Sequence, residues 1–326
     1  MKKITVFGGG TGSYVVLTGL KKYEADLAAV VSMTDSGGST GKLRDQLGVL
    51  PPGDVRQCLL ALSEAPELWR KLFLYRFANG DLRGHNFGNI FLSALEKVAS
   101  NYDDVIDTAS YVLQVKGHVY PVTYSKTTLC VEYMNGEVVK GEGLIDSNFA
   151  EKTRIKTAYL DPKVYFNPRA LKRIQETDLI VIGPGDVYTS IVPILLVNGV
   201  KEAIASSSAS VVYIMNLMTK QGQTVNYTAK DHLDDITRYL GRKPDVLVIN
   251  NGEVDVETLN WYAENEERVV YNDIDLQSFK GKVIVGDFVD RRPYVMEESD
   301  LVEKFVRSVL RHDGDKLAEV LYNLHT

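Results

Sequence analysis

Cysteine is nearly missing from this chain: only Cys58 and Cys130 occur in 326 residues, far apart and without the spacing of metal ligands. That excludes a disulfide-stapled framework and a zinc knuckle, and both thiols are expected as small buried hydrophobes in a reducing compartment. An excess of positive charge is missing too. Lysine and arginine total 37 against 43 acids, a formal charge of -6 with no basic stripe, which argues against nucleic acid as a partner. Long apolar runs are absent: "IVPILLVNGV" is short and broken by Pro193, Asn198 and Gly199, so no membrane span is expected. The opening "MKKITVFGGG" enters a strand pattern directly, without the layout of a signal peptide, and a cytoplasmic location is expected. No nucleophile announces itself through G-x-S-x-G, H-E-x-x-H or a recognisable Cys–His spacing. Candidate catalytic groups are therefore carboxylates, with Mg²⁺ as the ion they would hold.

What is present is an alternation of strand and helix patterns. "ITVF" and "LAAVVSM" read as strands, the second apolar almost throughout, as a strand buried on both faces should be. Between them a helix is expected over 13–22, and further helices over 54–63, 67–77, 86–99 and 103–115, with Pro66 suited to a first helical turn. From about 117 to 160 the texture turns to β, with Asn135-Gly136 predicting a two-residue type I′ hairpin turn. The α/β rhythm returns with strands at 177–186, 210–216, 245–250 and 282–288, a helix through "VYTSIVPILL", and helices near 228–240, 298–310 and 314–324. The fold class expected is α/β, a Rossmann-like doubly wound and mostly parallel sheet with a small β-hairpin excursion, within one domain spanning 1–326.

Open α/β sheets bind ligands beyond the carboxyl ends of their strands, so the loops there carry the functional reading. "FGGGTGS" places Gly8, Gly10 and Ser13 at the G-x-G-x-x-G spacing, with Gly9, Thr11 and Gly12 supplying amides at a helix start. The alternative is a tight βα turn that needs small residues. "MTDSGGSTGKLR" spends glycine and hydroxyl freely, in Ser36, Gly37, Gly38, Ser39 and Thr40, before Lys42 and Arg44, which describes a seat for phosphate. It is not a Walker A loop, because Ser36 stands at the first glycine and Leu43 at the magnesium-binding hydroxyl. Asp35 lies where dinucleotide folds keep a ribose acid, or else caps the turn.

"LPPGDVRQ" brings Asp54 to a helix start, where capping is the plain reading, and Arg56 to a first turn where a cation opposes the helix dipole. "VIGPGDVYTSI" offers a second anion-ready helix start through Gly183, Pro184, Gly185, Asp186, Thr189 and Ser190. Two such loops at one sheet edge suggest a ligand with two ends, such as a nucleoside diphosphate. "RGHNFGN" adds His85, Asn86 and Asn89, with His85 a base, a phosphate ligand or a hydrogen-bonded structural residue. "NLMTKQGQT" adds Asn216 and Thr219 for base or sugar contacts, or stands as a surface loop.

Together "GGGTGSYVVLTGL", "VVSMTDSGGSTGKLRDQLGVLPPGDVRQCLLALS", "GHNFGNIFLSAL" and "GPGDVYTSI" closely resemble the bacterial gluconeogenesis factor family, the YvcK-like proteins. These are similar in fold to 2-phospho-L-lactate transferase, which builds a deazaflavin cofactor. The resemblance covers nearly the whole chain. It implies a protein that binds UDP-glucose or UDP-N-acetylglucosamine and is required for cell shape and for growth on gluconeogenic carbon, without an established reaction. The transferase similarity implies the alternative, Mg²⁺-dependent phospho-group transfer with Asp35 and Asp54 as catalytic and metal-binding acids. Against the transferase pattern, an acidic pair becomes Asp35-Ser36, S-P-D-L-D becomes "PPGD" and G-P-S-N-P becomes Gly183-Pro184-Gly185-Asp186-Val187. A nicotinamide dinucleotide is a third reading, resting on Gly8, Gly10 and Asp35. A homodimer is the default expectation for such a protein.

Overall fold

The computed structural model describes residues 1–148, 151–275, 278–292 and 309–324. In chain order the strands are β1 (Lys2–Phe7), β2 (Ala25–Val31), β3 (His118–Pro121), β4 (Thr128–Tyr133), β5 (Val138–Lys140), β6 (Ile155–Asp161), β7 (Leu179–Ile182), β8 (Ser210–Ile214), β9 (Val246–Asn250) and β10 (Lys282–Gly286). Seven form an all-parallel sheet in the order β10-β9-β8-β7-β1-β2-β3, and β5-β4-β6 form a small antiparallel sheet. The α/β reading of the sequence holds. Central strands are apolar on both faces because helices cover both: Ile4, Val6, Val30, Val31, Ile180 and Val181 are wholly buried.

Strand order fixes where a ligand can sit. From β1 the chain moves outward through β2 to β3, whereas from β7 it moves the opposite way to β10. β1 and β7 are neighbours, in register from Ile4 opposite Leu179 to Phe7 opposite Ile182. The loops leaving their carboxyl ends therefore diverge to opposite faces and open a crevice, the topological switch point of a doubly wound sheet.

The helices of the first half are α1 (Gly10–Leu20), α2 (Gly38–Leu47), α3 (Gly53–Leu62), α4 (Glu67–Leu74), α5 (Phe87–Val98), α6 (Tyr102–Val112) and α7 (Glu142–Asp146). α2 was not anticipated by the apolar pattern, for a physical reason. Its buried positions are Ser39, Thr40, Gly41 and Leu43, mostly small and polar, so the loop-like composition hides a helix that ends at left-handed Gly48. Pro66 precedes α4 instead of entering its first turn.

Three further differences concern the second half and the excursion. His118–Pro121 belongs to the main sheet, pairing in parallel with β2, so the antiparallel sheet begins only at Thr128. The turn after β4 is not type I′: Gly136 has φ +88° but Asn135 stays outside the left-handed region, and the Gly136 and Tyr133 amides donate to Tyr133 and Glu137 carbonyls. That is a type I turn closed by a glycine bulge. Helices also occupy Pro168–Gln175, Val200–Ser206 and Val256–Glu264, where none was expected. The helix through "VYTSIVPILL" opens with a π-turn at Val187–Ile191, and those over 229–240 and 314–322 are present. The helix expected near 298–310 falls mainly outside the described residues. Cys58 and Cys130 are buried and unpaired, and burial pushes both thiols up, so neither is a ready nucleophile. Among the described residues no helix is long and apolar enough to cross a membrane.

Candidate active site at the switch point

A hollow of about 330 Å³ lies at the crevice between β1 and β7. Its walls come from segments far apart in sequence. Gly9, Gly10, Thr11 and Gly12 open α1; Asp35, Gly37, Gly38, Ser39 and Thr40 open α2; Gly53, Asp54 and Arg56 open α3; Gly185, Asp186 and Ser190 follow β7. The turn bearing Asp35 and the turn bearing Pro184 thus share one hollow. Each of α1 and α2 starts with a left-handed glycine, Gly10 at φ +56° and Gly38 at φ +43°, preceded by an extended one. Neither helix start is capped by its own N-cap residue, a glycine in both cases, and at α1 a carboxylate from α3 takes the Gly10 amide instead. Such starts present backbone donors and a positive dipole end to an anion.

Contact between the two glycine loops is direct. A Cβ on Gly12 would overlap the carbonyl of Pro184, and one on Gly9 would overlap the Asp54 carboxylate. Asp54 does not cap α3, whose N-cap is Pro52; its carboxylate reaches across to the Gly10 amide. Asp35 closes its own turn, Oδ1 accepting from the Gly37 amide at 2.9 Å. The capping reading is therefore right for Asp35 at its loop and wrong for Asp54 at its helix.

These acids crowd each other. Burial, then the neighbouring Asp35 charge, pushes Asp54 up to about 8. Burial also raises Asp35, opposed by hydrogen bonds from Gly37, Thr40 and Glu142. Glu142, on α7 of the small sheet, is raised well above its ordinary value by burial and by Asp35, while its Oε2 accepts from the Ser36 amide at 3.1 Å. Ser36 Oγ in turn accepts from the Gly143 amide at 2.8 Å, which fastens α7 over the second loop.

Asp54 binds its extra proton in the folded state between its unfolded value near 3.8 and about 8. The contribution of Asp54 to stability therefore falls as pH rises through that window and levels off above it. Asp54→Asn removes the titration, so its thermal midpoint should exceed the wild type's by about 3 °C or more near pH 9, the gap closing below about pH 4. Scanning calorimetry across pH checks this, and a gap independent of pH would refute it.

Of the cations the sequence singled out, Arg56 lines the crevice, but Lys42 and Arg44 do not. Lys42 is exposed on α2, and Arg44 pairs with Asp45 at 2.9 Å beside a separate hollow. Arg76, Lys220 and Arg311 join Arg56 in lining the crevice. Lys220 sits 3.6 Å from Asp146. Burial opposes its charge, but the carboxylates of Asp186, Asp146 and Glu267 outweigh that and raise its pKa. Glu142 and Asp146 were likewise missed. The only sequence signals were a cation inside the strand-exit segment "NLMTKQGQT" and an acidic turn after the hairpin.

Several predicted residues stand one layer back. His85 Nδ1 lies 3.3 Å from Ser39 Oγ, which also accepts from the Asn86 amide, so both buttress the start of α2. Asn86 caps α5, and Asn89 reaches the hollow, where its Oδ1 accepts from Arg56 Nε at 2.8 Å. Thr189 contacts Gln223 at 3.4 Å, and Thr219 Oγ1 accepts from the Arg268 amide. Gly183 and Pro184 share a cis peptide bond. Pro184 and Asn216 line an adjoining hollow of about 130 Å³ that shares Thr11, Gly12, Gly185 and Arg311 with the first. Asn216 Nδ2 donates to the Gly185 carbonyl at 2.8 Å.

Among the described residues no group of three or more His, Cys, Asp or Glu is arranged to hold a metal ion. Asp35 and Asp54, two desolvated neighbouring acids with raised pKa values, suit a Mg²⁺ that arrives with phosphate oxygens and water to complete its shell, not one caged by protein alone.

Comparison with known proteins bears on this geometry. A family model described as 2-phospho-L-lactate transferase CofD matches residues 4–289. A curated relative from Thermoanaerobacterium thermosulfurigenes is 40% identical over 324 residues, covering 99% of this chain and 96% of its own. The gluconeogenesis factor of Bacillus subtilis is 38% identical over 325 residues, covering 99% and 98%. A crystal structure of a Bacillus halodurans protein superposes with TM-score 0.90 at 37% identity, covering 99% of both chains. Kinship over nearly the full length, on the same sheet that creates this crevice, means that the chain belongs to the CofD family, on the branch of the gluconeogenesis factors.

Proposed function

We propose that this chain binds a UDP-sugar, UDP-glucose or UDP-N-acetylglucosamine, and acts by binding, as a regulator of growth on gluconeogenic carbon and of cell shape. One observation carries the reading: two glycine-opened helix starts face a single hollow that Lys220 and Arg311 also line. A diphosphate spans two such donor clusters, whereas a single phosphate needs one. Asp35 and the acids of α7 then suit ribose or sugar hydroxyls, and Asn216 beside the adjoining hollow suits a base. The hollow is within the size range of small-molecule sites. Titration calorimetry with each UDP-sugar and Mg²⁺ should give saturable heat; none at about millimolar ligand removes the reading.

The Asp35–Asp54 pair favours a second reading, phospho-group transfer. The two acids would hold Mg²⁺, which would supply charge neutralisation at the phosphates, while Gly37 and Gly10 amides keep the carboxylates oriented. Incubation with nucleotide conjugates and Mg²⁺ should then release a nucleotide. No release across such a set, with saturable binding intact, leaves the binding function alone standing.

A further inference from the structure

We propose that α4 and the loop after it, residues 67–83, form a docking face for an anionic lipid bilayer, on which the chain rests without spanning it. The helix is seated by one buried side chain, Phe73, which meets Phe87 at 5.9 Å and Phe91 at 5.0 Å between ring centres. Its other large apolar residues look outward. Leu68 is 79% exposed, Tyr75 51% and Trp69 41%, and Leu72 and Leu74 are exposed as well. The loop adds Leu82, 45% exposed. Single exposed leucines are ordinary on a protein surface, but a run of this kind between positions 68 and 82 marks an interaction face. None of these six side chains lines any of the three hollows described above.

Charge selects the occupant. The chain as a whole is acidic, at -6, yet residues 67–83 carry Arg70, Lys71, Arg76 and Arg83 against only Glu67 and Asp81. Glu67 and Lys71 pair with each other at 2.7 Å on the exposed helix, which neutralises those two alone. Lys21 and Lys116 widen the positive field around Arg70. Burial lowers the Lys21 pKa, and the charges of Arg70 and Lys116 press the same way against Glu64. A positive surplus on a negative protein calls for an anionic partner. The side chains beside it narrow the choice to lipid. Tryptophan and tyrosine rings settle at headgroup level, leucines enter the acyl boundary, and arginine and lysine meet lipid phosphates. A bilayer also takes side chains that project from a helix and a loop, whereas a protein partner must match their shape.

Flotation of the full chain with vesicles tests the proposal. Phosphatidylcholine vesicles with about a third phosphatidylglycerol should carry the chain at about 100 mM salt, and pure phosphatidylcholine vesicles should not. Raising salt to about 500 mM should release most of it. Arg70→Glu with Lys71→Glu should weaken capture about tenfold or more. Leu68→Asp with Leu72→Asp should abolish it with an unchanged circular dichroism spectrum, because both side chains are outside the core. Tyr165→Asp, an exposed change elsewhere, should float as wild type does. Of the two tryptophans, Trp69 is on this face and Trp261 packs on Tyr262, so anionic vesicles should blue-shift the emission of wild type but not of Trp69→Phe. No capture at about 1 mM anionic lipid overturns the proposal and leaves the face to an acidic protein. So does equal capture by neutral vesicles, or capture that either double variant leaves unchanged.

Discussion

Lys220→Met is expected to abolish the UDP-sugar binding proposed for this hollow and to cost about 3 kcal/mol of stability, because it removes the ammonium that Asp146, Asp186 and Glu267 share. Lys220 and Asp146 each keep about a fifth of their side-chain surface, at 22%, so water screens the pair little. Truncating one partner leaves carboxylates facing each other in a partly dry site, which is where loss of a charge is most costly. Urea denaturation and titration calorimetry measure both effects. Adding Asp146→Asn should return part of the stability without returning binding, since it relieves repulsion but restores no cation for phosphate. If the double variant binds the ligand as wild type does, Lys220 is a structural cation only, and the anion-binding role assigned to it fails.

Gly12→Ala should be nearly as damaging. The added carbon would overlap the Pro184 carbonyl, which is backbone and cannot rotate away as a flexible side chain could. Either α1 or the Gly183-Pro184-Gly185 loop must shift, and overpacking of this kind costs about 1–3 kcal/mol. Any shift also parts the two donor loops, so ligand affinity should fall by more than the stability loss alone would explain. Gly80→Ala is the control, since nothing lies within 4 Å of a carbon added there, although its φ of +71° adds some backbone strain. A Gly12→Ala protein of wild-type stability and affinity would show that the two loops need not touch.

Much of the framework was legible before any coordinates. β1 and β2 are short and apolar, and the glycine clusters that follow them can only be turns, so strand exits and their donor loops could be read locally. What misled the reading was composition without periodicity. α2 looked like a loop because its buried side is Ser39, Thr40 and Gly41, and Lys42 and Arg44 looked like phosphate ligands because they stand next to glycines. On a helix, adjacency in sequence does not mean a shared direction, and here it carries Lys42 to solvent. Asp54 shows the reverse error: an acid at a helix start reads as a cap, yet it serves the start of α1, more than forty positions earlier.

The sequence by itself determined the class of fold, the run of donor-rich turns at strand ends and the kinship those turns carry, because each depends on neighbours a few residues apart. Only the tertiary structure decided which charges meet. Strand order set β1 beside β7 and so brought Gly12 against Pro184, and the small sheet folded back to lower Glu142 and Asp146 into the same hollow as Lys220. Those partners are separated by roughly 75 to 170 positions, and no local propensity encodes a contact of that span; burial of the shared sheet does.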